Sequence, residues 1–189
     1  MKLVLASRNE NKLRELRRAL PDWEIALLDA ADEPVEDGLT FVDNARIKAR
    51  HGRANADPED WVAGEDSGIE VVALGGRPGI HSARWADDPV GRLLAELQGI
   101  DDRRARYVCE LVALSPDGSE VRATGTLEGV VAHDPRGDEG FGYDTIFVPL
   151  GETATAAELG NAWKSANSHR AKAAESLADA LERDSPTSR

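Results

Sequence analysis

One cysteine, Cys109, is all the chain carries, which excludes an internal disulfide and a cysteine-based metal site and fits a cytoplasmic location. No apolar run approaches the roughly 18 residues a membrane span needs. The opening MKLVLASRNENK turns polar after five residues, too soon for the apolar core of a secretory leader, so no membrane partner is expected. Positive charge is also short. Lys and Arg number 23 against 35 Asp and Glu, a net charge of −12, so the surface repels polyanions and general nucleic-acid binding is disfavoured. Any phosphate ligand must be met by local groups. Neither an internal repeat nor a low-complexity linker divides the sequence. What is present is enough apolar material, 41% of 189 residues, for one core. A single domain over residues 1–183 with a frayed tail at 184–189 is expected.

Residues 3–6 form a short apolar run, followed by a polar turn and then Leu13, Leu16, Ala19 and Leu20 at helical spacing, closed by Pro21. This is strand, loop, helix. A second strand is expected at 25–28, a loop over the acidic stretch 31–38, and a helix over 41–53 behind the capping pair Thr40 and Asp43. Residues 61–74 read as extended chain interrupted by a turn at Gly64–Gly68, which puts Glu65 and Asp66 at an element boundary. After a loop over 75–85, Asp88 and Pro89 open a helix ending near Gly99. The clearest hairpin joins 107–114 to 121–127 through Ser115, Pro116, Asp117 and Gly118. A loop at 140–144, a short strand at 145–148 and a final helix behind Ser168 complete the chain, that helix turning Ala171, Ala174, Leu177 and Leu181 inward. Strands and helices mix without strict alternation, so the expected fold class is α/β with an elongated mixed sheet flanked by helices.

Four places could carry chemistry. Ser7, Arg8, Asn9, Glu10, Asn11 and Lys12 lie between a strand and a helix N-terminus, where free N–H groups and the helix dipole suit phosphate oxygens. A cation in that first turn is unfavourable unless an anion is near; the alternative is an Asn-capped, solvated basic face. Glu65 and Asp66, with Glu36 upstream, are oxygen donors suited to Mg²⁺ and to deprotonating water, or else an acidic turn. Lys164, His169 and Arg170 place basic groups at the start of the last helix, suited to an anionic or acceptor-rich ligand, or else to the surface. Phe141, Gly142, Tyr143 and Asp144 could stack a base and accept from its edge, or simply join the core.

Taken in order, Ser7-x-Asn9-x-x-Lys12, Gly38-Leu39-Thr40-Phe41 with Asn44, Ala45 and Lys48, Glu65-Asp66-Ser67-Gly68, Gly76-x-Pro78-Gly79-x-x-Ser82-Ala83-Arg84, Phe141-Gly142-Tyr143-Asp144 and Ser168-His169-Arg170 resemble the Ham1/RdgB family of inosine triphosphate pyrophosphatases. The resemblance spans residues 3 to about 181. It implies a homodimeric α/β enzyme with two lobes and a central cleft that hydrolyses ITP, dITP or XTP to the monophosphate and pyrophosphate with Mg²⁺. By the same resemblance, Asp66 is the catalytic carboxylate and a metal ligand, with Glu36 and Glu65 as the other metal-site acids. Residues 7–12, Lys48 and Ser67 would hold the triphosphate, and Phe141, Gly142, Tyr143, Asp144, Lys164, His169 and Arg170 the nucleoside and its base. Three residues depart from the family pattern: Arg8 where Gly is frequent, Trp85 in place of Tyr, and Trp163 where an acid is common. The rival readings are a non-catalytic nucleotide-sensing module, a Maf-type hydrolase of other modified nucleotides and a plain partner-binding domain.

Overall fold

In the computed structural model, strands β1 (Lys2–Leu5), β2 (Glu24–Leu27), β3 (Trp61–Val71), β4 (Arg104–Leu114), β5 (Glu120–Val131) and β6 (Phe147–Pro149) form one sheet in the order β2-β1-β3-β4-β5-β6. Strands β2 and β3 run parallel to β1, and β6 runs antiparallel to β5, so the sheet is mixed, as the irregular alternation of elements predicts. The helices are α1 (Glu10–Ala19), α2 (Phe41–Asn55), α3 (Pro89–Glu96), α4 (Ala156–Asn167) and α5 (His169–Asp184). The structure describes residues 1–184; the tail expected at 184–189 lies, from residue 185, outside the described residues. None of the described helices is long and apolar enough to cross a membrane.

Local chemistry explains most boundaries. Asn9 caps α1, Thr40 caps α2 by accepting from the Asp43 N–H, and Asp88 caps α3 with Pro89 in its first turn. Two expectations need correcting. The turn expected at Gly64–Gly68 is absent: β3 is continuous from Trp61 to Val71, so Glu65 and Asp66 stand mid-strand. Gly64 serves close packing, because a Cβ there would meet the Ala45 carbonyl oxygen at 1.9 Å and the Ala49 nitrogen at 2.5 Å. The second correction is α4, where the sequence pattern predicts no element. Thr155 and Glu158 form a capping box at its start, and Gly160, at φ 81°, breaks its periodicity.

The chain divides into two compact units, and the division falls inside β3, β4 and β5. Unit 1 comprises Met1–Asp66, Cys109–Gly125 and Arg170 onward; unit 2 comprises Ser67–Val108 and Thr126–His169. Each has its own apolar core. In unit 1, Leu13 and Leu16 of α1 and Ala174, Leu177 and Leu181 of α5 pack on Leu3, Leu5, Ala63 and Leu111 of the sheet. The inward set expected for the last helix, Ala171, Ala174, Leu177 and Leu181, is buried. In unit 2, Leu93 and Leu97 join Ile69, Val71, Tyr107, Ile146 and Phe147. Trp163, one of the departures from the family pattern, packs against this second core.

Candidate active site

Unit 1 collects ionised side chains around the middle of β3. The Asn9 side chain accepts from the N–H groups of Asn11 and Lys12, and Ser7 Oγ accepts from Asn9 N–H, so the Asn cap considered from sequence is present. It does not leave Lys12 on a solvated face. The Lys12 ammonium lies 2.5 Å from Glu65 Oε2, and this carboxylate offsets the cost of a cation in the first turn of a helix. Arg8 turns elsewhere: its guanidinium donates to the carbonyls of Ala30 and Ala31 and lies 3.8 Å from Glu33. Glu10 is exposed and Asn11 pairs with Arg14.

The close approach that Gly64 allows brings Lys48 of α2 against the strand. Its ammonium donates to the Glu65 carbonyl at 3.2 Å and to Asp66 Oδ1 at 2.9 Å, and lies 3.0 Å from Glu36 Oε1. Asn44 completes the arrangement, donating to Asp66 Oδ2 at 3.3 Å and accepting from Gly38 N–H at 2.9 Å. It thereby ties the Glu36 loop to the strand. Burial raises the Asp66 carboxyl above the ordinary carboxylate range, and the neighbouring Lys48 and Lys12 only partly offset this. For Lys48 the balance runs the other way: burial works against its charge, but Asp66 and Glu36 outweigh it and its pKa is raised.

Among the described residues no group of three or more His, Cys, Asp or Glu side chains is placed to hold a metal ion. Two carboxylates do converge. Glu36 and Asp66 both reach the single Lys48 nitrogen within 3.0 Å, and a pair of carboxylates is what a Mg²⁺ ion completing its shell with water and phosphate requires. The donor set therefore fits. Glu65 is engaged differently: while Oε2 meets Lys12, Oε1 accepts from Arg170 Nη2 at 3.1 Å and from the Cys109 thiol at 3.3 Å. Arg170 also donates to Glu15 through its other terminal nitrogen. Burial opposes the Arg170 charge, yet Glu65 and Glu15 outweigh it and hold the guanidinium ionised. Burial, reinforced by Glu65, pushes the Cys109 thiol well up, so it stays protonated.

In unit 2 the residues singled out from sequence form ring contacts and a buried ion pair. Gly142–Thr145 is a 3-10 turn in which Asp144 Oδ2 accepts from Phe141 N–H at 2.9 Å. The same oxygen takes Lys164 Nζ at 2.6 Å, and Tyr107 donates to Oδ1 at 3.3 Å. The Tyr107 ring stacks on His169 with centroids 4.5 Å apart and 10° between planes, and tilts against Phe147 at 4.5 Å. Lys164 lies 5.0 Å from the Phe141 centroid. Gly140 is required here, since a Cβ would meet Asp144 Oδ2 at 2.3 Å. Tyr143 donates to the Ser82 carbonyl, and burial pushes its phenol up to about 12. Trp85, a second departure, is stacked by Arg92 at 3.9 Å.

Of the residues singled out from sequence, Lys12, Glu36, Lys48, Glu65, Asp66 and Arg170 come together in unit 1, and Phe141, Asp144, Lys164 and His169 in unit 2. Ser67 is half-buried at the next position of β3, and Gly142 is exposed. Neighbours in sequence part company: His169 stacks on an aromatic ring, whereas Arg170 joins the acids of unit 1. Sequence reasoning missed Asn44 as a partner of Asp66, missed Glu15, and did not place Cys109 beside Glu65.

The profile of the Ham1 family matches residues 3–180. The chain belongs to the Ham1 family. Among its relatives, a protein from Mycobacterium bovis named dITP/XTP pyrophosphatase is 45% identical, covering 95% of each chain. One of the same name from Bdellovibrio bacteriovorus is 41% identical, covering 98% of this chain and all of that one. Among solved structures, the Ham1 protein of Staphylococcus aureus has a TM-score of 0.85 at 34% identity over 97% of this chain and 100% of that one. A HAM1 protein from Coxiella burnetii has a TM-score of 0.82 at 35% identity over 97% and 99%. The Ham1 assignment accounts for the order of the six motifs and for the mixed α/β sheet.

Proposed function

We propose that this Ham1-family chain is a nucleoside triphosphate pyrophosphohydrolase that converts ITP, dITP or XTP to the monophosphate and pyrophosphate. The observation that carries the reading is the convergence of Glu36 and Asp66 on Lys48, with the charge of Lys12 acting on the same Asp66 carboxylate. Acidic and basic groups interleaved at this density suit a polyphosphate and a divalent ion together. The names of the relatives from Mycobacterium bovis and Bdellovibrio bacteriovorus support the substrate class.

In this reading Asp66 takes the proton of the water as its oxygen bonds to the α-phosphorus, and the bond to the pyrophosphate oxygen breaks. A carboxyl lifted by burial is better matched to that task than an ordinary one. Lys12 and Lys48 neutralise the negative charge that develops on the departing pyrophosphate. Glu36 and Asp66 would hold Mg²⁺, which when bound supplies Lewis-acid stabilisation of phosphate oxygens. In unit 2, Phe141 would stack a base, while the pair Tyr107 and His169 is buried. Selectivity follows from pairing: a 6-oxo purine accepts where adenine's 6-amino group donates, so a donor-lined base site leaves a buried donor unmatched by ATP. We propose further that the enzyme is a cytoplasmic homodimer that does not bind nucleic acid, in keeping with the single cysteine, the net charge of −12 and the family resemblance.

Pyrophosphate release measured across a panel of nucleoside triphosphates, with and without Mg²⁺, tests the reading. Rapid release from ITP, dITP or XTP, slow release from ATP and none without the metal is expected. Absence of release from every triphosphate at saturating Mg²⁺ would overturn it.

A further inference from the structure

Glu15 belongs to none of the motifs, yet it is 8% exposed on α1, one turn after Lys12, with its carboxylate on a guanidinium that is itself 2% exposed. The contacts run as a chain of alternating charge whose two ends, Glu15 and Lys12, lie one turn apart on α1. Glu15 holds Arg170 Nη1, Arg170 Nη2 holds Glu65 Oε1, and Glu65 Oε2 holds Lys12. The two oxygens of Glu65 thus have separate tasks. Arg170 and the Cys109 thiol fix Oε1, which leaves Oε2 aimed at the Lys12 ammonium.

We infer that Glu15 is a positioning residue for catalysis, acting through Arg170 and Glu65 to hold the Lys12 ammonium in place. The inference rests on the proposed pyrophosphohydrolase reading and deepens it. An arginine whose two terminal nitrogens face one carboxylate takes both of its oxygens in a fork. By holding Nη1, Glu15 prevents that, and Oε2 stays available to Lys12. An ammonium has three donors, so its ion pair with Glu65 anchors Lys12 while donors remain for phosphate oxygens. Loss of the Glu15 charge lets Arg170 claim both oxygens of Glu65 and frees Lys12 to wander. An anchored cation matters most where charge develops, on the departing pyrophosphate, so the effect falls on turnover and not on ground-state affinity.

Glu15→Gln, Lys12→Met and the double variant are compared for ITP hydrolysis with Mg²⁺, alongside their melting curves. Glu15→Gln is expected to lower kcat about tenfold with KM changed less than twofold, and to have no further effect in the Lys12→Met background, since residues acting as one unit are non-additive. Additive losses would overturn the inference. So would a lowered melting temperature with unchanged kcat, which is a structural role, or a lowered KM with unchanged kcat, which is a plain gain of positive charge. Should Glu15→Gln fail to fold, Glu15→Asp, which keeps the charge but shortens the reach, enters the same cycle with the same criterion. A second readout does not depend on activity: the ¹⁵Nζ resonance of Lys12 is expected to be protected from exchange in the parent protein and broadened in Glu15→Gln. Protection without ITP hydrolysis would defeat the functional reading and leave the Glu15–Arg170–Glu65–Lys12 chain standing; unprotected Lys12 in a protein that hydrolyses ITP would do the reverse.

Discussion

In unit 1 the candidate site is a lattice of ionised groups, Lys12, Glu15, Glu36, Lys48, Glu65, Asp66 and Arg170, each paired with at least one opposite charge. In unit 2 the corresponding residues are ring faces, Tyr107 on His169 and Phe147, with a single buried pair of Lys164 and Asp144 beneath Phe141. The contrast is one of solvation. Clustered charges repay their desolvation only by pairing, and they can exchange those partners for phosphate and metal; stacked rings cost little to bury and favour flat, weakly charged groups. The two units therefore gather chemically distinct groups, ionised side chains in unit 1 and rings in unit 2.

The largest effect should come from removing the charge that unit 1 is arranged around. Asp66→Asn is expected to lower turnover about 10³-fold or more, with the fold intact, because charge placement carries most of phosphoryl-type catalysis. Steady-state pyrophosphate release and circular dichroism check it; near-normal turnover at saturating Mg²⁺ would remove Asp66 from the chemistry. Next is the buried Lys164–Asp144 pair of unit 2. Lys164→Met strands the Asp144 carboxylate among buried rings and should cost about 3–5 kcal/mol of stability, measured by denaturant unfolding, with Asp144→Asn added to the same chain recovering part of the loss. Smaller again is Gly64→Ala, whose Cβ would press on the α2 backbone 1.9 Å away at the Ala45 oxygen. It should cost about 1–3 kcal/mol by overpacking and displace Lys48 from Asp66. A destabilised but fully active variant would show that this close approach does not set the site.

The smallest effect is a titration. Lys48 favours the ionised form of Asp66, so Lys48→Met should raise the Asp66 pKa further above the ordinary carboxylate range, to be read by ¹³C chemical shift in the metal-free protein. A downward shift would mean that the lysine does not face this carboxylate.

Much of this was legible in sequence, and the exceptions have physical causes. Caps at Asn9, Thr40 and Asp88 and the hairpin turn at Ser115 to Gly118 are local signals, and the structure keeps them. Gly64 misled because glycine marks both turns and close backbone approach; only the position of α2 distinguishes them. The helix α4 hid because Gly160 interrupts its period. Lys12 and Arg170 carried a readable hint, cations in first helical turns that demand a nearby anion. The anions found are in part the protein's own, Glu65 and Glu15. Glu15 carries no such signal, because its partner lies 155 residues away and no local pattern can reveal it.

The roles proposed for Lys12 and His169 are tested most directly by kcat/KM for ITP and for ATP in Lys12→Met and in His169→Ala, each against the parent enzyme. The account predicts that Lys12→Met depresses both substrates and leaves their ratio unchanged, whereas His169→Ala brings the ratio toward one. A ratio altered by Lys12→Met and untouched by His169→Ala would contradict it.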